Sequence, residues 1–478
     1  MTDHVNREDS VTLEIKSLES SIWDAMTDDN LFMSSPHEAC IFRTPATLRS
    51  QNEKAYIPRA FSFGPFHHGN PNLKAMEKIK ANYLRDLLPR VCLTTGLGEI
   101  IKSIKAVEKK ARACYAEPIS YSSDEFVKIL VIDGCFLIEL FRKFNCDELK
   151  EKNDPVIAMA CVSSFLSHDL ALLENQVPWI VLEQLFKVTF GRHDRKPLIQ
   201  LVMEFFGHNF LSSLPPLTVH SSQDIKHILD LLRKWLVSSV GEDLKESTST
   251  QKHIPSVIQK KKKEKHITSA IHLIEAGIKF RRSPSLSMVE IKFNGEESTN
   301  IPWELMPSAT RLKEAGIKFR SGTSKSILDI KFVDGVLEIP SLLIHDTTET
   351  LFRNLISYEQ CYPGCETRFT SYAVLLDNLI NTTKDLEILC DKGIIRNWMD
   401  PEAATIFFNK LYNNTVVGEF CYANLCEQVH SHCRRQWPRW RAVLVHNYFN
   451  TPWSVLSTLA ALVLLILTFL QTFYTIKK

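Results

Sequence analysis

Residues 126–144 read FVKILVIDGCFLIELFRKF, a nearly continuous apolar run that carries a few charged residues. A second run, HDLALLENQVPWIVLEQLF, lies within Ser163–Phe190. Both are longer than ordinary strands, so they predict buried helices, and Pro178 should open or kink the second one. Neither run contains an uncharged stretch as long as a membrane span requires. These two segments therefore predict a mainly α-helical core.

Apolar residues recur at helical spacing on both sides of this core. We expect further helices at Thr12–Met26, Leu73–Leu88, Ser222–Val237, Thr348–Ser357, Phe369–Thr382, Asp385–Lys392, Pro401–Tyr412 and Phe420–Gln436. One segment differs, because SILDIKFVDGVLEIP places two alternating runs around Asp334-Gly335, which predicts a β-hairpin. The predicted fold class is mainly α with a small β-hairpin element.

A short motif is duplicated in the middle of the chain. EAGIKFR at residues 275–281 recurs at 314–320, an offset of 39 residues. Only the second copy continues into the hairpin, so we interpret the first copy as degenerate. Residues 241–268 are rich in Lys, Ser and Thr and predict a solvated linker. The predicted organisation is a loose segment at 1–37 and a principal domain at 38–446, with the duplicated unit at 275–340 inside it.

The last residues, 453–478, read WSVLSTLAALVLLILTFLQTFYTIKK, and no charged residue lies between His446 and Lys477. A helix that crosses the hydrocarbon core needs about 20 mostly apolar residues. We therefore predict a transmembrane anchor at 452–476, with the bilayer as a partner. Trp453, Phe473 and Tyr474 are expected at its interfaces, where amphipathic rings favour the headgroup region.

Basic and aromatic residues precede this predicted span. They are Arg434, Arg435, Trp437, Arg439, Trp440 and Arg441, against Lys477 and Lys478 beyond the span. The excess of arginine on the N-terminal side predicts a cytosolic domain, and the cluster could also lie on anionic headgroups. We accordingly expect a tail-anchored, single-pass protein of the plasma membrane. The net charge of +2 gives no general attraction for nucleic acid.

Two groups of residues in this sequence could carry chemistry. His67-His68 follow Gly64-Pro65 and could act as a general base or bind a metal, or they could simply stabilise a loop through hydrogen bonds. Asp133, Glu139 and Glu174 lie within apolar runs, where burial would raise their pKa values. Such acids are more commonly exposed or paired.

A cysteine–histidine cluster near the C-terminus is a third candidate. Cys426, His430 and Cys433 share one helix face and, with Cys421, could form a zinc site. Their spacing does not match the usual zinc motifs, and reduced core cysteines explain it as well. We expect no catalytic, cofactor-binding or metal-binding residues, and no cofactor.

Several long motifs resemble a known family. They include IPRAFSFGPFHHGNPNLKAMEKIKANYL at 57–84, DGCFLIELF at 133–141, DLALLENQVPWIVLEQLF at 169–186 and LDIKFVDGVLEIPSLLIHDTTETLFRNLISYEQC at 328–361. This series is similar to the plant family called domain of unknown function 247, or uncharacterised protein family 0481. The family usually has one EAGIKF unit, so the first copy here is a departure.

The resemblance implies a plant membrane protein with one C-terminal span and without established enzymatic activity. From it and from the residues, we predict a membrane-anchored interaction or recognition module with an unidentified protein partner. The alternative is an enzyme of unfamiliar fold that uses the His67/His68 loop with a buried carboxylate. That alternative requires both imidazoles and a carboxylate to converge on one pocket.

Overall fold

The structure is a computed structural model. It describes residues 19, 23, 38–91, 96–151, 154–190, 196–210, 225–238, 256–257, 305–324, 326–434 and 452–476. The chain divides into two compact units. Unit 1 combines Met1–Ser239 with Asp346–Cys365, and unit 2 combines Val240–His345 with Glu366–Lys478.

Unit 1 is built from α-helices. Its described helices are α1 (Ala46–Arg49), α2 (Lys74–Leu87), α3 (Leu97–Ala113), α4 (Ser123–Asn145), α5 (Ala160–Leu170), α6 (Trp179–Thr189), α7 (Leu198–Phe210), α8 (Ile228–Ser238) and α10 (Asp346–Cys361). A short 3₁₀ turn follows α1 at Glu53–Tyr56, two more flank α2 at Pro71–Leu73 and Leu88–Arg90, and a fourth follows α4 at Asp147–Leu149.

Helix α4 forms the centre of unit 1. It begins with a capping box, in which the Ser122 side chain accepts from the Glu125 N–H and the Glu125 carboxylate accepts from the Ser122 N–H. Its apolar residues pack against α2, α3, α6 and α7. Gly134 allows close contact with α6, because a Cβ atom there would lie 2.3 Å from Leu185 Cδ1. The prediction of a long core helix at 126–144 is confirmed.

The second apolar run forms two helices joined by a loop. Helix α5 ends at Leu170, and α6 begins at Trp179 with Pro178 as its N-cap. Pro178 therefore opens a helix, as its fixed φ angle and missing N–H predict. The intervening loop, 171–178, is buried even at Glu174, Asn175 and Gln176.

Helix α10 belongs to unit 1 although it is far away in sequence. Asn354 donates to the Ala55 carbonyl at 2.8 Å and accepts from the Leu173 N–H at 2.9 Å. At the other end of the helix, Glu359 pairs with Arg233 at 3.1 Å. These polar contacts join α10 to three separate segments of the N-terminal part of unit 1.

Unit 2 contains helices and small sheets. Its described helices are α9 (Ala309–Glu314), α11 (Arg368–Leu379), α12 (Thr383–Asp391), α13 (Pro401–Lys410), α14 (Ala423–Arg434) and α15 (Pro452–Ile476). Its described strands are β1 (Ser256–Val257), β2 (Lys318–Gly322), β3 (Lys331–Val333), β4 (Val336–Pro340), β5 (Leu342–Ile344), β6 (Ile395–Asn397) and β7 (Val416–Val417).

The predicted hairpin is formed by β3 and β4. Asp334 and Gly335 have φ angles of 51° and 75°, the positive values that a two-residue type I′ turn requires. Strand β2 adds to the other side of β4 in parallel, with Lys318 opposite Val336. The remaining pairs are β5–β6, which is parallel, and β1–β7, which is antiparallel.

Parts of the predicted organisation lie outside the described residues. The first EAGIKF copy at 275–281 is one of them, as is most of the predicted helix Thr12–Met26. Of the predicted linker 241–268, only Ser256–Val257 is described, and this pair forms β1 opposite Val416–Val417.

The prediction of a transmembrane anchor is wrong. Across the part of the chain that the structure describes, no helix has both the length and the apolar character that a membrane crossing requires. The helix that the structure places in this region is α15, Pro452–Ile476. The single-pass, tail-anchored localisation at the plasma membrane is corrected with it.

The residues predicted to contact a membrane interface are only partly described. Arg434 is the last residue of α14 and is exposed. Trp453, Phe473 and Tyr474 lie on the α15 backbone, and their side chains are outside the described set. The other predicted interface residues also lie outside it: Arg435, Trp437, Arg439, Trp440 and Arg441.

Candidate functional site

The segment 57–69, IPRAFSFGPFHHG, lies across the core of unit 1 as irregular backbone. Asp169, which is fully buried, accepts from the N–H groups of Arg59, Ala60 and Phe61 at 2.7, 2.8 and 2.7 Å. Asn175 accepts from the Phe63 N–H at 2.7 Å and donates to the Phe61 carbonyl at 2.9 Å. The α5–α6 region thus supplies the hydrogen bonds that a strand partner would otherwise provide.

A buried ion pair holds the middle of this segment. Asp133 of α4 accepts from the Gly64 N–H at 2.8 Å and from the Lys80 ammonium group. Lys80, which is also fully buried, donates to the Ser62 carbonyl at 2.7 Å. Burial raises the pKa of Asp133, although the Lys80 charge opposes the shift. The pair neutralises two charges that would be expensive to bury separately.

Gly64 is required at this position for two reasons. Its φ angle is +71°, in the left-handed region that favours glycine. A Cβ atom there would also lie 2.5 Å from the Gln176 carbonyl oxygen. The close approach of residue 64 to the 171–178 loop therefore depends on the absence of a side chain.

The Glu174 carboxylate contacts a backbone N–H and two basic side chains between residues 44 and 67. Its carboxylate accepts from the Thr44 N–H at 2.8 Å and from the Arg49 guanidinium, while His67 Nε2 lies 3.4 Å from Oε2. Burial alone would raise the pKa of Glu174. The hydrogen bonds from His67 and Thr44, together with the Arg49 charge, outweigh burial and lower it. Glu174 therefore acts as a buried anion that binds the His67 loop.

Glu139 makes a separate ion-pair cluster. Its carboxylate lies 2.5 Å from Arg90 Nη2 and 3.7 Å from Arg142 Nη1. Burial raises the pKa of Glu139 in spite of these two cations. The Arg142 guanidinium stacks 3.5 Å from the centre of the Phe190 ring. These contacts tie α4 to the end of α2 and to the end of α6.

A cavity of about 610 Å³ opens beside the His68 loop, between α2 and the start of α4. This volume lies within the range of about 300 to 1,000 Å³ that small-ligand pockets occupy. Leu73, Ile129 and Ile132 give the wall an apolar part, and Asp133 and Ser62 lie at its inner end. We call this space the α2–α4 cavity.

His68 is fixed at the mouth of the α2–α4 cavity. The Tyr121 hydroxyl donates to the His68 carbonyl at 3.2 Å, and the two rings meet edge to face with their centroids 5.7 Å apart. The buried Nδ1 atom of His68 finds no hydrogen-bond partner in the described parts of the chain. A ligand or a water molecule in the cavity could satisfy this atom.

Two lysines border the same cavity. Lys74 and Lys128 are exposed, and neither makes a hydrogen bond or an ion pair within 4 Å in the described structure. The two glutamates of the lining are engaged, because Glu77 contacts Ser62 and Lys80 and Glu125 caps α4. The mouth therefore presents two available cations beside an apolar wall.

The structure separates the residues that the enzyme hypothesis requires to meet. His67 contacts Glu174, whereas His68 lines the α2–α4 cavity with Asp133. Glu139 lines neither place. The described structure thus brings one of the two imidazoles and one of the three predicted acids to the cavity, and that acid, Asp133, is already paired with Lys80.

The sequence analysis missed several residues that organise the site. Lys80 lies on the otherwise apolar face predicted for α2, and a charge on such a face is a signal of a buried ion pair. Asp169 and Asn175 gave a weaker signal as polar residues inside an apolar run. Their partners lie more than 100 residues away, so sequence spacing could not indicate them.

The residues of the cysteine–histidine cluster near the C-terminus make other contacts in the described structure. Within the described ranges, no group of three His, Cys, Asp or Glu residues could hold a metal ion. His430 instead places Nε2 2.9 Å from the Leu305 carbonyl, and Cys426 is buried.

Comparison with known proteins identifies relatives over most of the chain. The profile of a plant family described as plant protein of unknown function matches residues 41–303 and 294–467. A UPF0481 protein of Arabidopsis thaliana is 29% identical over 450 residues, which are 91% of this chain and 85% of that protein. A putative UPF0481 protein of the same plant is 24% identical over 491 residues, covering 91% and 89% of the two chains.

No solved structure resembles the chain at a significant level. The order and extent of the family match agree with the motifs between residues 57 and 361. The chain therefore belongs to the plant family of unknown function designated domain of unknown function 247.

Proposed function

We propose that this protein is a recognition module that binds an acidic peptide segment of a partner protein in the α2–α4 cavity, without chemical turnover. The observation that supports this function is the lining of that cavity. The same cavity is lined by an apolar wall, by two available lysines and by His68, whose buried Nδ1 atom has no partner in the described structure.

The buried acids favour binding over catalysis. The carboxylates of three buried acids accept hydrogen bonds from backbone N–H groups and basic side chains of unit 1. These acids are Asp133, Glu174 and Asp169. A carboxylate that serves as a general base needs a free oxygen within reach of a substrate proton. These acids instead hold the 57–69 segment in one conformation, and rigid support of this kind favours selective binding.

The charges indicate the chemistry of the partner. Lys80 balances Asp133 inside the cavity and also pairs with Glu77, so at the mouth the two cations Lys74 and Lys128 outnumber the single carboxylate of Glu125. Carboxylates on a peptide would complement these lysines and reach the Nδ1 atom of His68. Aliphatic side chains next to the carboxylates would contact Leu73 and Ile132.

The experiment is a selection from a defined library of random short peptides on the full-length chain. We expect the recovered peptides to be rich in Asp and Glu next to an aliphatic residue. The double variant K74A/K128A should weaken their binding about tenfold, because each exposed ion pair contributes up to about 1 kcal/mol.

A matched control is available on α3. Lys109 and Lys110 are also exposed and also lie in unit 1, but they do not line the cavity. The K109A/K110A variant changes the net charge equally and should bind as the unmodified chain does. Equal losses in the two double variants would mean nonspecific charge attraction and would refute the proposed site, as would a selection that enriches no sequence.

A further inference from the structure

Two cysteines of unit 1 are paired without being bonded. Cys40 and Cys114 are both free thiols, and 73 residues separate them. The Cys40 and Ile41 N–H groups both donate to the Cys114 carbonyl, at 2.8 and 2.9 Å, and the Ala116 N–H donates to the Ile41 carbonyl at 3.0 Å. Ile41 and Tyr115 thus form a parallel β-bridge, with each cysteine one position before it.

This bridge brings the backbones of the two cysteines into direct contact. The Cys40 N–H lies 2.8 Å from the carbonyl oxygen of Cys114, which is the C-cap residue of α3. Disulfides form when the Cα atoms are about 4.4 to 6.8 Å apart. The two side chains already interact, since each thiol affects the other through a hydrogen bond.

The environments of the two thiols differ. Cys40 is fully buried, whereas Cys114 is only partly buried and its Sγ donates to the Lys110 carbonyl at 3.3 Å. The hydrogen bond from Cys40 lowers the pKa of Cys114, against the effect of burial, and the same contact together with burial raises the pKa of Cys40. Cys114 is therefore the more accessible and the more readily ionised thiol of the pair.

We propose that Cys40 and Cys114 form a reversible redox pair, in which a peroxide oxidises Cys114 and Cys40 closes an intramolecular disulfide. The Cys114 thiolate attacks one peroxide oxygen, the O–O bond breaks, and hydroxide leaves, which gives a sulfenic acid. The Cys40 sulfur then attacks the Cys114 sulfur, the S–O bond breaks, and water leaves with the Cys40 proton. Two thiols and one peroxide thus give one disulfide and two waters, or one water and one alcohol when the peroxide is organic.

The disulfide would secure the beginning of the described chain to the end of α3. The residue just before α8 also contacts this beginning, because His227 Nε2 lies 2.9 Å from the Cys40 carbonyl. It continues to Thr44, whose N–H donates to Glu174. Oxidation would therefore lock an anchor of the network that holds the His67 loop.

The test is peptide mapping of the full-length chain after brief exposure to hydrogen peroxide. Free thiols are blocked before digestion, and the digest is analysed without reduction. We expect a linked peptide that contains residues 40 and 114, lighter by two hydrogens than its separate parts, and we expect a reductant to remove it. The C161S variant is the matched control, because Cys161 is more exposed than Cys114 and stands alone. It should form the same link.

A second measurement keeps the test independent of folding. In C40S the sulfenic acid has no partner, so dimedone should label Cys114, whereas in the unmodified chain disulfide closure should consume the sulfenic acid and leave Cys114 unlabelled. Circular dichroism checks that C40S keeps its helical content. Oxidation of Cys114 to a sulfinic acid without a link, reaction at Cys161 alone, or a link between other cysteines would overturn the proposal.

Discussion

Replacement of Asp169 by Ala tests whether one buried carboxylate holds the 57–69 segment. The carboxylate accepts three backbone N–H groups, from Arg59, Ala60 and Phe61. Residue 59 is exposed, so water can replace its bond, but residues 60 and 61 are buried. Leaving a buried donor unpaired costs about 1 to 3 kcal/mol. Two such donors give an expected loss of about 4 kcal/mol from the stability of unit 1.

The measurement is urea unfolding of the full-length chain, combined with hydrogen exchange read by mass spectrometry. Exchange assigns the change to unit 1, because the amides of residues 60, 61 and 63 should lose protection first. Asp169→Asn retains one acceptor oxygen and should lose about half as much stability. Asp147→Ala removes an exposed carboxylate of the same unit and should cause no measurable change.

A loss below about 1 kcal/mol in D169A would refute this reasoning. It would mean that the 57–69 segment is held by its aromatic packing, since Phe61, Phe63 and Phe136 stack with centroids 5.4 to 6.1 Å apart. Equal losses in D169A and D147A would also contradict it, because burial would then have no bearing on the effect.

Two further predictions concern pH and packing. Burial lowers the pKa of His227 to about 4, from an ordinary value of 6.5. In the unfolded chain His227 therefore binds a proton below about pH 6.5, whereas in the folded chain it binds this proton only below about pH 4. The contribution of neutral His227 to the free energy of unfolding is fully present above pH 6.5 and falls by about 3 kcal/mol in total as the pH drops to 4. Urea unfolding at a series of pH values should show a weaker dependence of this free energy on pH in His227→Gln. Gly134→Val places methyl groups against Leu185 and should lower the melting temperature, with a loss of about 2 kcal/mol, whereas Gly98→Ala has no atom within 4 Å of its Cβ and should be neutral or slightly stabilising. An unchanged melting temperature in G134V would contradict the close contact between α4 and α6.

The main helices and the hairpin could be predicted from local patterns. The run at 126–144 has an unbroken helical pattern, and a capping box at Ser122 fixes where α4 begins. The Asp334-Gly335 pair specifies its turn through positive φ angles. Local patterns did not predict the break between α5 and α6 at residues 171–178. Buried polar side chains in this loop bond to distant parts of unit 1 instead of continuing the helix.

The candidate site could not be predicted in the same way. Its contacts join residues that are widely separated, such as Gly64 with Asp133 and Thr44 with Glu174. Chain spacing contains no information on such pairs until the fold is known. The predicted transmembrane anchor rested on the length and apolar character of the run at 452–476 and on the residues that flank it, and not on any predicted contact.

The discontinuity of unit 1 has a consequence during synthesis of the protein. Residues up to 239 leave the ribosome first, but their core lacks α10 until residue 365 has been made. At about 5 to 20 residues per second, the intervening 126 residues take roughly 6 to 25 s. During this interval the residues that contact α10 lack their partners. Ala55 and Leu173 lack Asn354, and Arg233 lacks Glu359. The nascent chain therefore exposes an incomplete core for many seconds, and chaperones that bind exposed apolar surface should associate with it until α10 docks.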